Sequence, residues 1–311
     1  MTVTLKLTRR SALIAGAVLP FAASLGAGPA RAAAEMKGPS TPIHYRFKLG
    51  GFEVTTLRAG TGPMENPQQT YGLNASPEEF AAVSAAAFVP ADRSQNFFTP
   101  TIVNTGSELV LFDAGPSAAG TVAALEAAGY TPDQVDTVVV THMHGDHIGG
   151  LATEGQLTYP NARYVTGAIE NNHWAAAGNE NYDKLIKPIA DQCTYLDDGG
   201  SVASGITAMA AYGHTPGHFV YHLESDGQRL VLTADMANHA VWSIGRPDWE
   251  VRFDMDKPAA IETRKRILGM LAADRVPFIA YHLPSPAVGY VEADGEGFRH
   301  VPVGYQLMLN G

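Results

Sequence analysis

The stretch that decides the fold is Thr141–His147, which reads Thr-His-Met-His-Gly-Asp-His. It follows directly on Val138–Val140, a β-branched run typical of a buried strand. Three imidazoles and one carboxylate therefore share one loop at the C-terminal end of a predicted strand. Neutral imidazoles and carboxylates are the ligands that Zn²⁺ and similar ions bind. So many ligand-type side chains after a buried strand indicate a metal site rather than a solvated histidine-rich turn.

Three later segments also place ligand-type side chains at the ends of predicted strands. Gly213–His218, Gly-His-Thr-Pro-Gly-His, follows a strand that ends at Tyr212. Asp235 and His282 each end a further apolar run. Carboxylates and imidazoles just past buried strands are well placed to converge on one crevice.

Composition indicates a soluble globular protein. The chain has 311 residues, of which 45% are hydrophobic and 17% charged, enough for one large domain or two small ones. Its formal net charge is -10 with no basic block, which argues against nucleic acid as a partner. Cys193 is the single cysteine, so no intramolecular disulfide is possible.

The first 32 residues have the pattern of a secretory signal. The pair Arg9-Arg10 precedes a mild apolar run rich in alanine and glycine, and Ala30–Ala32 resembles a cleavage site. The paired arginines favour the twin-arginine pathway and hence a periplasmic or secreted protein. A membrane anchor is disfavoured, because Pro20 interrupts the run and a span needs about 20 residues. Residues 33–311 are then expected to form one domain.

Strand-rich stretches with interspersed helices predict a layered α/β or α+β domain. A hairpin is expected over residues 44–58, and the longest periodic helix over residues 257–273. Shorter helices are expected over residues 119–128, 168–177 and 181–189. Residues 60–95 are the least regular, with one helical piece near 77–87, and suggest a lid or a dimer arm.

Together these motifs resemble the metallo-β-lactamase-fold hydrolases over residues 40–305. The likeness rests on His142-x-His144-x-Asp146-His147, the segment His214–His218, Asp235, His282, and Asp113 in an early strand. Within this superfamily the chain is most similar to methyl parathion hydrolase-type enzymes, through Asn104–Ser107, His282–Pro286 and Gly295–Val303. The resemblance implies an αβ/βα sandwich of four layers with a metal crevice along one edge, and it suggests a homodimer.

The resemblance also implies a ligand for each position of a two-metal site. His142, His144 and His218 would hold the first ion, and Asp146, His147 and His282 the second. Asp235 would bridge the two, and Asp146 and Asp235 are the candidate catalytic carboxylates. His214 is expected to support the site or its turn, because the second histidine of its segment is taken as the ligand. Two divalent ions per chain, with zinc the expected metal, would share one water as a bridging hydroxide.

Apolar residues near these motifs are candidates for the substrate pocket. They are Phe97, Phe98, Trp174, Met236 and His239. Phe97 and Phe98 point to opposite faces of a strand, so at most one should line the pocket. Small neutral esters, lactones or organophosphate triesters suit this pocket and this chemistry.

Three functions remain open from the sequence. The first is a binuclear zinc hydrolase of those substrates. The second is an oxidoreductase of the same fold with a single iron, similar to the sulfur dioxygenases, which use a reduced ligand set. The third is a binding protein that keeps a metal only as a structural staple. No Gly-x-Ser-x-Gly segment indicates a serine hydrolase instead.

Overall fold

The computed structural model describes residues 34–310, and the predicted signal peptide, residues 1–32, lies outside the described residues. The strands in chain order are β1 (His44–Leu49), β2 (Phe52–Leu57), β3 (Gly60–Glu65), β4 (Arg93–Phe98), β5 (Thr101–Asn104), β6 (Leu109–Phe112), β7 (Thr137–Val139), β8 (Ala152–Thr153), β9 (Gln156–Leu157), β10 (Arg163–Gly167), β11 (Cys193–Leu196), β12 (Ser201–Ala203), β13 (Ile206–Ala210), β14 (Phe219–Ser225), β15 (Gln228–Ala234), β16 (Phe278–Ala280), β17 (Val288–Asp294) and β18 (Gly297–Pro302). The α-helices are α1 (Pro77–Ala86), α2 (Ala118–Ala127), α3 (Gly145–Ile148), α4 (Ala168–Ala176) and α5 (Lys257–Asp274).

Two seven-stranded sheets carry most of the described strands. The first has the order β1-β2-β5-β6-β7-β10-β11 and is antiparallel as far as β6 and parallel from β6 to β11. The second has the order β12 to β18 and is antiparallel except where β15 pairs with β16. β3 pairs with β4, and β8 with β9, in two small sheets.

The two large sheets pack face to face between helices. Strand β6 shows how the sequence achieves this, because its residues alternate between two buried faces. Val110 and Phe112 join a core with residues of the second sheet, whereas Leu109 and Leu111 pack with α2. On the far side, α5 packs through its buried apolar face on the second sheet. The four layers confirm the predicted αβ/βα sandwich.

Side-chain caps define where the longer helices begin. The Ser117 side chain accepts the Gly120 N–H at the start of α2, and Asp256 accepts the Ala259 N–H at the start of α5. Arg275, with φ 53°, ends α5 in the left-handed region. None of the helices within residues 34–310 is long and apolar enough to span a bilayer.

The structure differs from the sequence prediction over residues 181–192. A helix was expected over residues 181–189, but Tyr182–Ile186 is a π-helical turn and Lys187–Gln192 a 3₁₀ segment. Pro188 explains the difference, because its nitrogen has no hydrogen to donate to the preceding turn. The expected helical piece near 77–87 is confirmed as α1, and the remainder of residues 60–95 contains β3 and the first half of β4.

Candidate metal centre

The loop after β7 is fixed by one buried carboxylate. Both the backbone N–H and the hydroxyl of Thr141 donate to Asp113, each at 2.9 Å. The Nδ1 of His147 lies 2.8 Å from the same carboxylate. Nδ1 therefore serves as the donor, and Nε2 of His147 is left to face the site. Asp113 thus sets the orientation of a ligand-type imidazole that the sequence had singled out.

A second buried carboxylate joins this loop to the segment His214–His218. Glu170 of α4 accepts the backbone N–H of Met143 at 2.8 Å and that of Gly217 at 3.0 Å. It also accepts the hydroxyl of Thr215 and the indole N–H of Trp174, both at 2.7 Å. Four donors on one fully buried carboxylate hold the two loops in a fixed relation. No motif in the sequence indicates this role for Glu170.

Ligand-type atoms from four loops converge into three overlapping groups. The groups are His142, His144 and His214; His142, His147 and Asp235; and Asp146, His147 and His282, each with its ligand atoms within 4.8 Å of one another. Asp235 lies centrally, with Oδ2 3.3 Å from Nε2 of His214 and 3.0 Å from Nε2 of His282. Its Oδ1 lies 3.1 Å from Nε2 of His147. This is the arrangement expected of a carboxylate placed between two ions.

The described side chains fit divalent cations. Nε2 of His147 and Oδ1 of Asp235 are buried and make no hydrogen bond within residues 34–310. Buried polar atoms without partners are rare, and here they face one another across a cluster of imidazoles and carboxylates. That donor set is one that zinc takes.

Both ring nitrogens of His218, which the sequence interpretation takes as a ligand of the first ion, lie against the backbone. Nδ1 of His218 lies 3.1 Å from the carbonyl of Ala211, and its Nε2 accepts the Asp235 N–H at 3.2 Å. Both nitrogens of His218 are thus used by the backbone, and no lone pair is left for a metal. The sequence interpretation had assigned this place to His218 and a supporting role to His214.

His214 lies beside His142 and His144, where the sequence interpretation expects His218. Its Nε2 lies 3.0 Å from Nδ1 of His144, and that atom lies 3.1 Å from Nε2 of His142. Its Nδ1 lies 2.9 Å from the carboxylate of Asp254. An imidazole that donates one N–H to a carboxylate and turns the other nitrogen to the site is typical of a metal ligand. Asp254 is buried and has no sequence motif that could have identified it.

Burial and charge divide the imidazoles by protonation. Burial lowers the pKa of His142 well below its usual range and that of His218 to about 3. Burial also acts to lower the pKa of His147, but Asp235, Asp113 and Asp146 outweigh it and raise that pKa. For Asp235, burial opposes ionisation, yet His282 and His147 hold its pKa well below the usual value. The site is therefore built around an ionised central carboxylate.

The crevice over this cluster has a volume of 410 Å³. Its lining includes Phe98 and the ligand-type residues His144, Asp146, Asp235 and His282. It also includes Tyr71, Asn96, Asn238 and Phe253, which the sequence analysis did not identify. Asn238 carried a usable indication, since it lies three residues after Asp235 and its Nδ2 donates to that carboxylate at 2.9 Å.

The other predicted pocket residues lie elsewhere. Met236 is buried in the core against the second sheet and lines neither this crevice nor its neighbour. Trp174 is half-buried, with its ring centroid 5.9 Å from that of His144, and it too is absent from the crevice lining. Phe97 and His239 line a second cavity of 440 Å³ on the other side of β4. Only one of the two neighbouring phenylalanines lines the crevice, as the strand alternation predicts.

Comparison with known proteins places these features in a family context. Residues 99–278 match the family model of the metallo-beta-lactamase superfamily. N-acyl homoserine lactonase AttM of Azorhizobium caulinodans is 31% identical over 132 residues, which is 38% of this chain and 47% of that protein. Ribonuclease Z of Pyrococcus furiosus is 46% identical over 50 residues, 16% of this chain and 15% of that protein. The chain thus spans less than half the length of these curated relatives.

Solved structures match over nearly their whole length. AidC, described as a dizinc quorum-quenching lactonase, has a TM-score of 0.77 at 24% identity, covering 85% of this chain and 98% of its own. The hydrolase AbOPH, of the beta lactamase superfamily, has a TM-score of 0.77 at 25% identity, covering 86% of this chain and 100% of its own. The likeness to AidC shows a shared fold.

Proposed function

The chain belongs to the metallo-β-lactamase superfamily, and on that premise we propose that it is a binuclear zinc-dependent hydrolase of small uncharged esters, lactones or phosphotriesters. The observation that carries the proposal is the position of Asp235. It lies between His214 and His142 on one side and His147 and His282 on the other, at the floor of the 410 Å³ crevice. Lactones come first among these substrates because two of the similar proteins are named lactonases.

Two groups of side chains would hold the ions. His142, His144 and His214 would bind the first, Asp146, His147 and His282 the second, and Asp235 both. When bound, the ions supply Lewis acidity, which activates water as a nucleophile and polarises the carbonyl or phosphoryl oxygen of the substrate. The imidazoles would act as neutral ligands, and the other ring nitrogens of His147, His214 and His282 are held by Asp113, Asp254 and the carbonyl of Phe97, respectively.

Two carboxylates divide the remaining work. Asp235 is almost completely buried, and its low pKa keeps it ionised, so it serves to hold charge rather than to take a proton. The side chain of Asp146 is 29% exposed and lines the crevice. Its Oδ2 lies beside Nε2 of His147 and of His282, the place of a ligand atom, so its other oxygen, Oδ1, is the atom that can accept the proton of the attacking water and return it to the leaving oxygen.

Tyr71 is placed to donate a hydrogen bond to substrate. It lines the crevice, and burial raises the pKa of its phenol, so the hydroxyl stays protonated. Within residues 34–310 that hydroxyl makes no hydrogen bond. It is also not completely buried. It can therefore donate to a substrate oxygen in a crevice that Phe98 and Phe253 also line.

The test is a hydrolysis panel on metal-replete protein. It contains a γ-lactone, an aryl ester, an aryl phosphotriester and a β-lactam, with a chelated sample as control. We expect metal-dependent hydrolysis of at least one of the first three. If none of these three compounds is hydrolysed, the proposed substrate class is wrong. Hydrolysis of the β-lactam alone would show that the substrates are β-lactams instead.

We also propose export by the twin-arginine pathway, from the sequence of residues 1–32. The proposal is tested by replacing Arg9 and Arg10 with lysines in the full chain expressed in a bacterium. Retention in the cytoplasm is expected, whereas an unchanged periplasmic fraction would reject it. The mass of the exported protein would give the cleavage site. Light scattering on the same material would test the expected homodimer.

A further inference from the structure

Strand β4 separates the metal crevice from the second cavity. Asn96 and Phe98 line the crevice, whereas Gln95 and Phe97 line the second cavity, which measures 440 Å³. His282 lines both spaces. The Nδ1 of His282 lies 2.8 Å from the carbonyl of Phe97, so the same strand also orients this ligand-type imidazole. His282 therefore forms part of the wall of both cavities.

The walls of the second cavity are mainly apolar. They include Val89, Pro90, Phe97, Val241, Leu283 and Pro284. Arg93 is the one arginine, lysine or carboxylate residue of the lining, and it is exposed. A volume of 440 Å³ lies within the range of about 300–1,000 Å³ that small-molecule sites occupy. Such a space suits an uncharged hydrocarbon group better than an anion.

His239 supplies this cavity with a fixed hydrogen-bond donor. Its Nδ1 accepts the backbone N–H groups of Val241 and Trp242, each at 3.2 Å. Its ring stacks on that of Trp242 with centroids 3.9 Å apart. Burial lowers the pKa of His239 to about 3, so the ring is neutral and its proton is on Nε2. That N–H makes no hydrogen bond within residues 34–310 and can donate to a ligand.

We propose that the second cavity receives an apolar acyl, alkyl or aryl arm of the substrate, and that His239 Nε2–H donates to an acceptor on that arm. The inference rests on the proposed function and narrows its substrate class. The reacting group would lie beside Asp146 and Asp235, and the arm would pass His282. Esters and lactones with a medium-length uncharged substituent should then be preferred over the unsubstituted compounds. Each buried methylene raises affinity about fourfold.

The test compares Val89→Phe with Ala85→Phe. Val89 lines the second cavity, whereas Ala85 is exposed on α1 and lines neither space, so it controls for added bulk. The first readout is the ratio of kcat/KM for a γ-lactone with a six-carbon side chain to that for the unsubstituted γ-lactone. We expect a ratio of at least ten for the wild type. Val89→Phe should lower this ratio at least tenfold, and Ala85→Phe should leave it unchanged. An equal ratio in all three proteins would overturn the inference.

A binding measurement keeps the result separate from the proposed function. N-octylacetamide and N-methylacetamide are titrated calorimetrically into the metal-loaded protein. We expect the octyl compound to bind at least tenfold more tightly, with this preference lost in Val89→Phe and kept in Ala85→Phe. If no ester or lactone is hydrolysed but this pattern holds, the proposed function fails and the cavity assignment stands. Hydrolysis without any chain-length preference in either assay rejects the cavity assignment alone.

The donor role of His239 has its own variant. Asn in its place retains an acceptor for the backbone N–H groups of Val241 and Trp242, and the melting temperature reports whether that cap survives. We expect His239→Asn to lower the affinity for N-octylacetamide by about fivefold to tenfold, the value of one hydrogen bond. It should leave the affinity for octylbenzene, which carries no carbonyl, unchanged. An equal effect on both compounds would assign His239 a purely structural role.

Discussion

The imidazole of His214 donates from Nδ1 to Oδ1 of Asp254 at 2.9 Å. The other oxygen of that carboxylate accepts from Nη2 of Arg264 at 2.6 Å. Arg264 is fully buried and also donates to the carbonyls of Met236, Pro247 and Trp249. A candidate ligand on one sheet edge is thereby tied to α5, so its position depends on an ion pair in the protein interior.

Asp254→Asn should weaken both metal binding and folding. The amide retains the shape of the carboxylate but leaves the charge of Arg264 uncompensated, which costs about 3–5 kcal/mol when a buried pair loses one partner. Metal affinity should fall about 10–100-fold, as for other partners of ligating imidazoles. Chelator competition and urea unfolding measure the two effects. Asp248→Asn, at an exposed site, is the control, and an equal result for both variants would contradict the role given to Asp254.

His214→Ala and His218→Ala should separate the two histidines of their segment. His214→Ala should reduce the metal content from two ions to one, because the variant loses a ligand-type nitrogen of the first group. His218→Ala should keep two ions and lose stability, since two hydrogen bonds to the backbone disappear. Elemental analysis after dialysis measures the content. One ion in His218→Ala and two in His214→Ala would restore the assignment made from the sequence.

The sequence predicted the fold, and most of the ligand-type residues that it singled out lie together in the structure, because both depend on local patterns. Buried β-branched runs ending in histidine or aspartate locate Asp235 and His282 at strand ends without any tertiary information. His214 and His218 could not be told apart in this way. They differ in what holds their ring nitrogens: the backbone of Ala211 and Asp235 holds those of His218, whereas the carboxylate of Asp254 holds Nδ1 of His214, and these partners come from three separate segments.

The pocket was predicted less well, for a similar reason. Tyr71 and Phe253 reach the crevice from irregular segments that no periodicity describes. Met236 directly follows a predicted ligand, yet its side chain lies in the core. Asp235 lines the crevice, whereas the side chain of Met236, one position further along the chain, points into the core. Contacts between distant segments, which sequence spacing does not encode, decide which side chains reach the substrate.

Glu170→Gln should loosen both ligand loops together. The carboxylate accepts four hydrogen bonds, and an amide in its place turns an NH₂ group toward groups that also donate. Each donor left without an acceptor costs about 1–3 kcal/mol. Urea unfolding of the metal-free protein measures the loss, and Glu126→Gln on the exposed side of α2 is the matched control. Unchanged stability and metal affinity would show that Glu170 does not connect the loops.

His300→Phe should reduce the acid sensitivity of the fold. Burial lowers the pKa of His300 to about 4, whereas in the unfolded chain it is near 6.5. The folded protein therefore binds fewer protons here, and stability is lost as the pH falls from about 6.5 to about 4. The variant lacks this group, which takes up as much as one proton on unfolding. Its free energy of unfolding should therefore fall less steeply with pH, by up to about 1.4 kcal/mol per pH unit. Phenylalanine keeps a ring against Phe278. Parallel stability curves for the two proteins over this window would contradict the prediction.

Metal removal should destabilise the protein and reveal the number of ions. Nε2 of His147 and Oδ1 of Asp235 are buried and make no hydrogen bond within residues 34–310, so bound cations would satisfy atoms that folding leaves unpaired. Two sites, each at a metal concentration 100-fold above its Kd, add about 5 kcal/mol. This corresponds to a rise of about 10 °C in melting temperature.

Scanning calorimetry of chelated, zinc-loaded and iron-loaded protein measures the rise. His214→Ala should show about half the zinc effect. A full effect from one iron per chain would instead favour the mononuclear oxidoreductase.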